Sequence, residues 1–176
     1  MEKQDANQEL ELLEVAMAAV RFLGLEGRCK EPFIRRLDIV NLVQVNLATQ
    51  YCPELNCSTY DLSVHLFLNP EGKIDSICVN EFQVSYDDYI SQFDGLFEGD
   101  FEGDIDEVCK NTYFKKIGNS QLEVTSDIRE RCVHTNQGVD KRTESKTIEV
   151  YEFDGDWKNL SSDMKKVGKV NQKTKN

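Results

Sequence analysis

Between Lys73 and Lys110 the chain has no Lys, Arg or His, so carboxylates in that stretch have no neighbouring base to neutralise them. Histidine is scarce throughout, with only His65 and His134 available for acid–base chemistry or metal ligation. No Gly-x-Ser-x-Gly elbow, phosphate-cradling glycine loop or dinucleotide fingerprint occurs, which removes the commonest local signatures of a hydrolase, a nucleotide-binding protein and a dehydrogenase. Apolar residues never run for the roughly 18 positions that suggest a membrane span. The opening Met1-Glu2-Lys3-Gln4-Asp5 lacks the apolar centre of an export signal. The expectation is an intracellular, cytoplasmic protein. Its six cysteines, Cys29, Cys52, Cys57, Cys78, Cys109 and Cys132, are then free thiols, most of them behaving as small hydrophobes.

What the chain has instead is acid. Eleven carboxylates lie between Lys73 and Lys110, and seven of them fall within Asp94 to Glu107. There Phe-Glu-Gly-Asp occurs twice in tandem, at 97–100 and 101–104. Charges so close repel across less than a Debye length of about 8 Å, so solvent, a cation or a basic partner must offset them. The formal net charge is −11, with 16 basic against 31 acidic residues in 1–162 (−15) and 5 against 1 in 163–176 (+4). A field of that sign repels nucleic acid and anionic membrane, and it speeds encounter with basic proteins.

At 176 residues the chain fits one domain, expected over 1–160, followed by a flexible Lys-rich tail over 161–176. Apolar positions from Leu10 to Leu23, stopped by Gly24 and Gly27, predict an amphipathic first helix over residues 5 to 23. Pro32, followed by Phe33, Leu37, Val40, Val43 and Leu47, predicts a second helix reaching about Tyr51, with a strand over Ile39 to Leu47 as the alternative. Alternation over Tyr60–Leu68 and an apolar run over Ile74–Val84, joined by Asn69-Pro70-Glu71-Gly72, predict a β-hairpin. Asp87 or Asp88 suits the cap of a short helix bearing Tyr89, Ile90, Phe93 and Leu96. Asp104 suits the cap of another, bearing Ile105, Val108, Cys109 and Phe114 and ended by Gly118. Strand pattern returns over Gln121–His134 and Thr147–Phe153, around a turn at Asn136-Gln137-Gly138. The predicted class is α+β: an antiparallel sheet of at least four strands, in two hairpins, packed against N-terminal and central helices.

Several residue patterns invite chemistry. Counting from Glu98, oxygen donors occupy positions one (Glu98), three (Asp100), five (Glu102), seven (Asp104) and nine (Asp106) of a calcium-binding loop, with Gly103 at six. The bidentate Glu needed at twelve is replaced by Cys109. A magnesium-dependent phosphotransfer site also uses clustered carboxylates, but no base lies nearby to hold the phosphate. Cys52 and Cys57 have a spacing that zinc tolerates, with His65 beyond, but no fourth ligand. Cys132 and His134 share one strand face. Arg129, Arg131, His134, Lys141, Arg142 and Lys146 form a basic cluster on the last hairpin, whose ordinary use is pairing with acid elsewhere in the fold.

The expected function is that of a non-enzymatic acidic interaction protein of inhibitor, immunity or counter-defence type. Its face of Asp94, Phe97, Glu98, Asp100, Phe101, Glu102, Asp104, Asp106 and Glu107 would meet the basic surface of a partner protein. That partner could be a nucleic-acid-binding enzyme whose phosphate site the carboxylates imitate. No catalytic residue, metal or cofactor is expected, nor direct contact with nucleic acid or membrane, while self-association is compatible with the charge pattern. The alternatives are a calcium-responsive module using the same loop, and a small enzyme or ligand-binding domain whose site is assembled from distant residues.

Overall fold

The computed structural model describes residues 2–37, 40–51, 58–88, 103–134 and 137–175. Glu2–Phe22 forms helix α1. Eight strands follow: β1 Phe33–Leu37, β2 Leu42–Tyr51, β3 Ser58–Leu68, β4 Ile74–Asp88, β5 Gly103–Ile117, β6 Gln121–His134, β7 Val139–Glu152 and β8 Lys166–Lys175. They pair in chain order, each antiparallel to the next, in a single meandering sheet.

Helix α1 buries Leu12, Val15, Ala16, Ala19 and Val20, the spacing of one helical face, and the alanines let the backbone approach the sheet closely. Its end is a Schellman motif. Leu25 N–H donates to Val20 C=O at 3.0 Å and Gly24 N–H to Arg21 C=O at 3.0 Å. Gly24 takes φ +71°. Glycine adopts that left-handed conformation without strain. Phe22 then sits edge-on to Phe114 at 5.3 Å and to Tyr151 at 5.2 Å. These edge-to-face contacts pin the helix to β5 and β7. Beyond β7, Phe153, Trp157 and Leu160 join the same core, and the Trp157 indole N–H donates to Ile74 C=O at 3.0 Å.

The core occupies one end of the long strands. It takes Ile77 and Val79 from β4, Phe114 from β5, Leu122 and Val124 from β6, and Tyr151 from β7. The opposite halves of β4 to β7 run on past these residues. The Asn69 turn joining β3 to β4 is built as its sequence suggests. The Asn69 side-chain oxygen accepts from the N–H groups of Glu71 at 2.9 Å and Lys73 at 3.0 Å.

The α+β expectation with central helices is overturned: the described chain is mostly β, with one long helix. The predicted second helix is β1 and β2. Val43 and Leu47 lie four apart, a helical interval, but they are every second inward position of a strand that also buries Val45 between them. The predicted helix from Asp104 to Gly118 is β5. Its inward row is Asp104, Asp106, Val108, Lys110, Thr112 and Phe114, so strand alternation in hydrophobicity is absent from half of it. Asp87 and Asp88 end β4, and residues 89–102 lie outside the described residues.

The segment expected as a tail contains β8, paired with β7 from Thr143↔Lys175 to Tyr151↔Lys166. Glu149 ties the two strands together, with Lys166 Nζ at 2.8 Å and Lys169 Nζ at 3.2 Å from the same carboxylate oxygen. No helix among the described residues is long and apolar enough to cross a membrane.

Because the Phe114 ring is fully buried and its loss leaves a cavity beside Phe22, Phe114→Ala should cost about 3–5 kcal/mol in urea unfolding. For Glu149, burial opposes ionisation, but hydrogen bonds from Lys166, Tyr151 and Lys169 outweigh it and hold the pKa at about 2, against an ordinary 4.5. Its stabilisation is complete above 4.5 and is lost as the pH falls from there through about 2, so Glu149→Gln should flatten that segment of the acid-unfolding curve.

Candidate functional site

The overrunning end of β5 and β6 gathers the densest chemistry among the described residues. Register sets Asp104 opposite His134 and Asp106 opposite Cys132. Because alternate residues share a strand face, all four side chains project from the face that carries α1, beyond the helix. The Asp104 carboxylate lies 3.7 Å from His134 Nδ1 and the Asp106 carboxylate 3.5 Å from His134 Nε2. The donor atoms of Asp106, Cys132 and His134 all lie within 4.8 Å of one another. A hydrogen bond to Asp106 holds the Cys132 thiol above its ordinary pKa; desolvation and Asp104 add to this, and Lys141 opposes it. A thiol so placed is protonated and a poor nucleophile.

Of the sequence-predicted contact residues, Asp104, Asp106 and Glu107 lie on β5. Asp94, Phe97, Glu98, Asp100, Phe101 and Glu102 lie outside the described residues. Glu107 projects from the opposite face to its two neighbours, across from Arg131. Among the described residues, no Lys or Arg comes within 4.0 Å of Asp104, Asp106 or Glu107. The calcium-loop pattern loses its flanking helix, because Asp104, Asp106 and Cys109 all belong to an extended strand. The basic residues of the last hairpin are partly consumed locally: Arg129 meets Glu144 at 3.8 Å and Asp127 at 3.9 Å, and Arg131 meets Asp140 at 3.5 Å.

A second polar cluster lies on the other face. The Asn80 amide bonds His65 Nδ1 at 3.1 Å and accepts from the Cys78 thiol at 3.3 Å. Burial lowers the His65 pKa, keeping the ring neutral at pH 7. Burial raises Cys78 to about 11, against a weaker opposing hydrogen bond with Tyr113. This pair is structural rather than nucleophilic. Cys52 and Cys57 lie outside the described residues, so His65 is seen without the cysteines that its sequence spacing suggested.

A groove of about 980 Å³ lies at the other end of the molecule. It runs between α1, the Asn69–Lys73 turn and the Asp154–Lys158 segment, with Lys116 Nζ 4.7 Å above the Trp157 ring. Neither His nor Cys lines it, and its acidic and basic side chains are mixed. It supplies a place to bind but no evident acid, base or nucleophile set.

No protein-family model matches the chain, and neither the curated proteins nor the solved structures contain a match.

The pairing of Asp104 and Asp106 with Cys132 and His134 is hidden in the sequence because it requires β5 to be a strand. The visible half of the signal is Cys132-Val133-His134, two donors on one face. Alkylation checks the contrasting assignment of Cys78. Its pKa, raised from 9.0 to about 11, leaves about a hundredfold less thiolate near neutral pH. Peptide mapping should therefore find Cys78 about a hundredfold slower to react in the folded chain than in the denatured one.

Proposed function

We propose that this chain is a non-enzymatic interaction protein, working in the cytoplasm, whose acidic sheet end engages a basic surface of a partner protein. The observation that carries this reading is the state of Asp104, Asp106 and Glu107 at the sheet end that α1 leaves uncovered: among the described residues no Lys or Arg pairs with them, Asp104 and Asp106 having only His134 nearby and Glu107 projecting from the opposite face. Carboxylates held at strand spacing on a rigid ladder present a fixed negative array, which favours fast encounter and correct orientation more than raw affinity. A phosphate-binding surface is one such partner, since it already offers guanidinium and ammonium groups that pair with carboxylates. Phe97 and Phe101 are assigned the apolar anchor in this reading, on their sequence positions alone.

The test is affinity capture with the full chain as bait, with identification of what is retained at low and at high salt. Basic proteins should be held at low salt and released at high salt. The five-site variant Glu98→Gln, Asp100→Asn, Glu102→Gln, Asp104→Asn, Asp106→Asn should lose most of that retention. Equal retention by the variant, or capture of acidic proteins only, would overturn the reading.

A further inference from the structure

We propose that Asp106, Cys132 and His134 form a binding site for a zinc-class divalent ion, with Asp104 as the positioning residue that orients the imidazole. The geometry is already close to that of a first coordination shell. Zinc holds nitrogen and oxygen ligands at about 2.0–2.2 Å, and in a tetrahedron those bonds place the two donors about 3.4 Å apart. His134 Nε2 and the Asp106 oxygen are 3.5 Å apart. The Cys132 thiol completes the triangle, each donor within 4.8 Å of the others, and a side-chain rotation on a fixed ladder brings the sulfur in.

A second feature points to a ligand here. The His134 Nε2 atom is shielded from solvent and makes no hydrogen bond, with the Asp106 carboxylate at 3.5 Å, although the side chain as a whole is 27% exposed. A buried, unpaired ring nitrogen is costly unless something else meets it. Asp104 lies on the far side of the ring, 3.7 Å from Nδ1. At 3.7 Å that contact is longer than a hydrogen bond; a small shift of the Asp104 carboxylate onto an Nδ1–H would leave the Nε2 lone pair facing Asp106 and Cys132, as in a carboxylate–histidine–metal relay.

The donor set selects the class of ion. A thiolate sulfur, an imidazole nitrogen and one carboxylate oxygen suit zinc and its cobalt substitute, whereas calcium and magnesium need oxygen-rich shells. Three protein ligands leave a fourth position for water or a partner's side chain. Binding follows a simple balance: the metal–sulfur bond replaces the S–H bond, the thiol proton goes to solvent, and no electrons are transferred. Aspartate, thiolate and dication then sum to zero charge. The site shares Asp104 and Asp106 with the partner-binding reading above, and metal titration of the chain alone, with no partner present, tests it separately.

The decisive experiment titrates the reduced full-length chain with Co²⁺ and, by calorimetry, with Zn²⁺. One equivalent should bind saturably, and Co²⁺ should produce a sulfur-to-metal charge-transfer band. Cys132→Ser should abolish that band, while Cys109→Ser and the double variant Cys52→Ser, Cys57→Ser should keep it. Asp104→Asn should weaken Zn²⁺ binding by about 10–100-fold with stoichiometry unchanged. Circular dichroism establishes that each variant folds. Should Cys132→Ser not fold, zinc X-ray absorption of the unaltered chain decides the matter, with one sulfur neighbour expected. Absence of saturable binding, a band that survives Cys132→Ser, a band lost with Cys52 and Cys57, or a shell with no sulfur or with several would each overturn the proposal.

Discussion

The constraint that shapes this molecule is one helix covering one sheet. Helix α1 has 21 residues. At a rise of roughly 1.5 Å per residue it reaches about 32 Å. Strands β4 and β5 have 15 residues each. At strand spacing each of them reaches about 50 Å. The helix therefore seals only part of the sheet. Phe22, wedged against Phe114 and Tyr151, fixes which part. Past Val79, Thr112 and Val124 that face is mostly polar, Val108 and Ile128 excepted, and the acid, thiol and imidazole groups accumulate there.

Much of the architecture could be read from residue order. The first helix, expected over 5–23, runs Glu2–Phe22, and the hairpin of β3 and β4 falls where alternation and the Asn69 turn placed it. Legibility failed where strand and helix signals coincide. In β2 the inward Val43 and Leu47 stand four apart, which fits a helical stripe as well as alternate inward positions of a strand. In β5 the uncovered half has Asp104, Asp106 and Lys110 where a covered strand would show apolar residues, so the period of two is invisible to hydrophobicity. Pattern reading senses burial, and it is silent about a strand that burial does not shape.

The same blindness applied to the site. Cys132 and His134 share a face by sequence alone, but their partners lie on the preceding strand and become neighbours only through strand register. A one-residue slip of β5 against β6 would send Asp104 and Asp106 to the opposite face, beside Arg129 and Arg131. Register here is set from the covered end, by the packing of Phe114 and Val124. Eight residues of strand put that packing about 27 Å from Asp106. The apolar half thus acts at a distance on the polar half through a stiff ladder. Acidity of the chain as a whole says nothing about this arrangement, which depends on four particular side chains.

A meander whose first and last strands are not neighbours leaves two outer strands. β1 contributes Arg35 and Arg36 with no carboxylate, and β8 contributes four Lys with none. In a protein of net charge −11, both margins are thus cationic. Head-to-tail stacking of copies, β8 of one against β1 of the next, would bring two strands of the same charge sign together, which disfavours edge-to-edge pairing. The single carboxylate of Glu149 holds two of the β8 lysines, Lys166 and Lys169, to their own sheet.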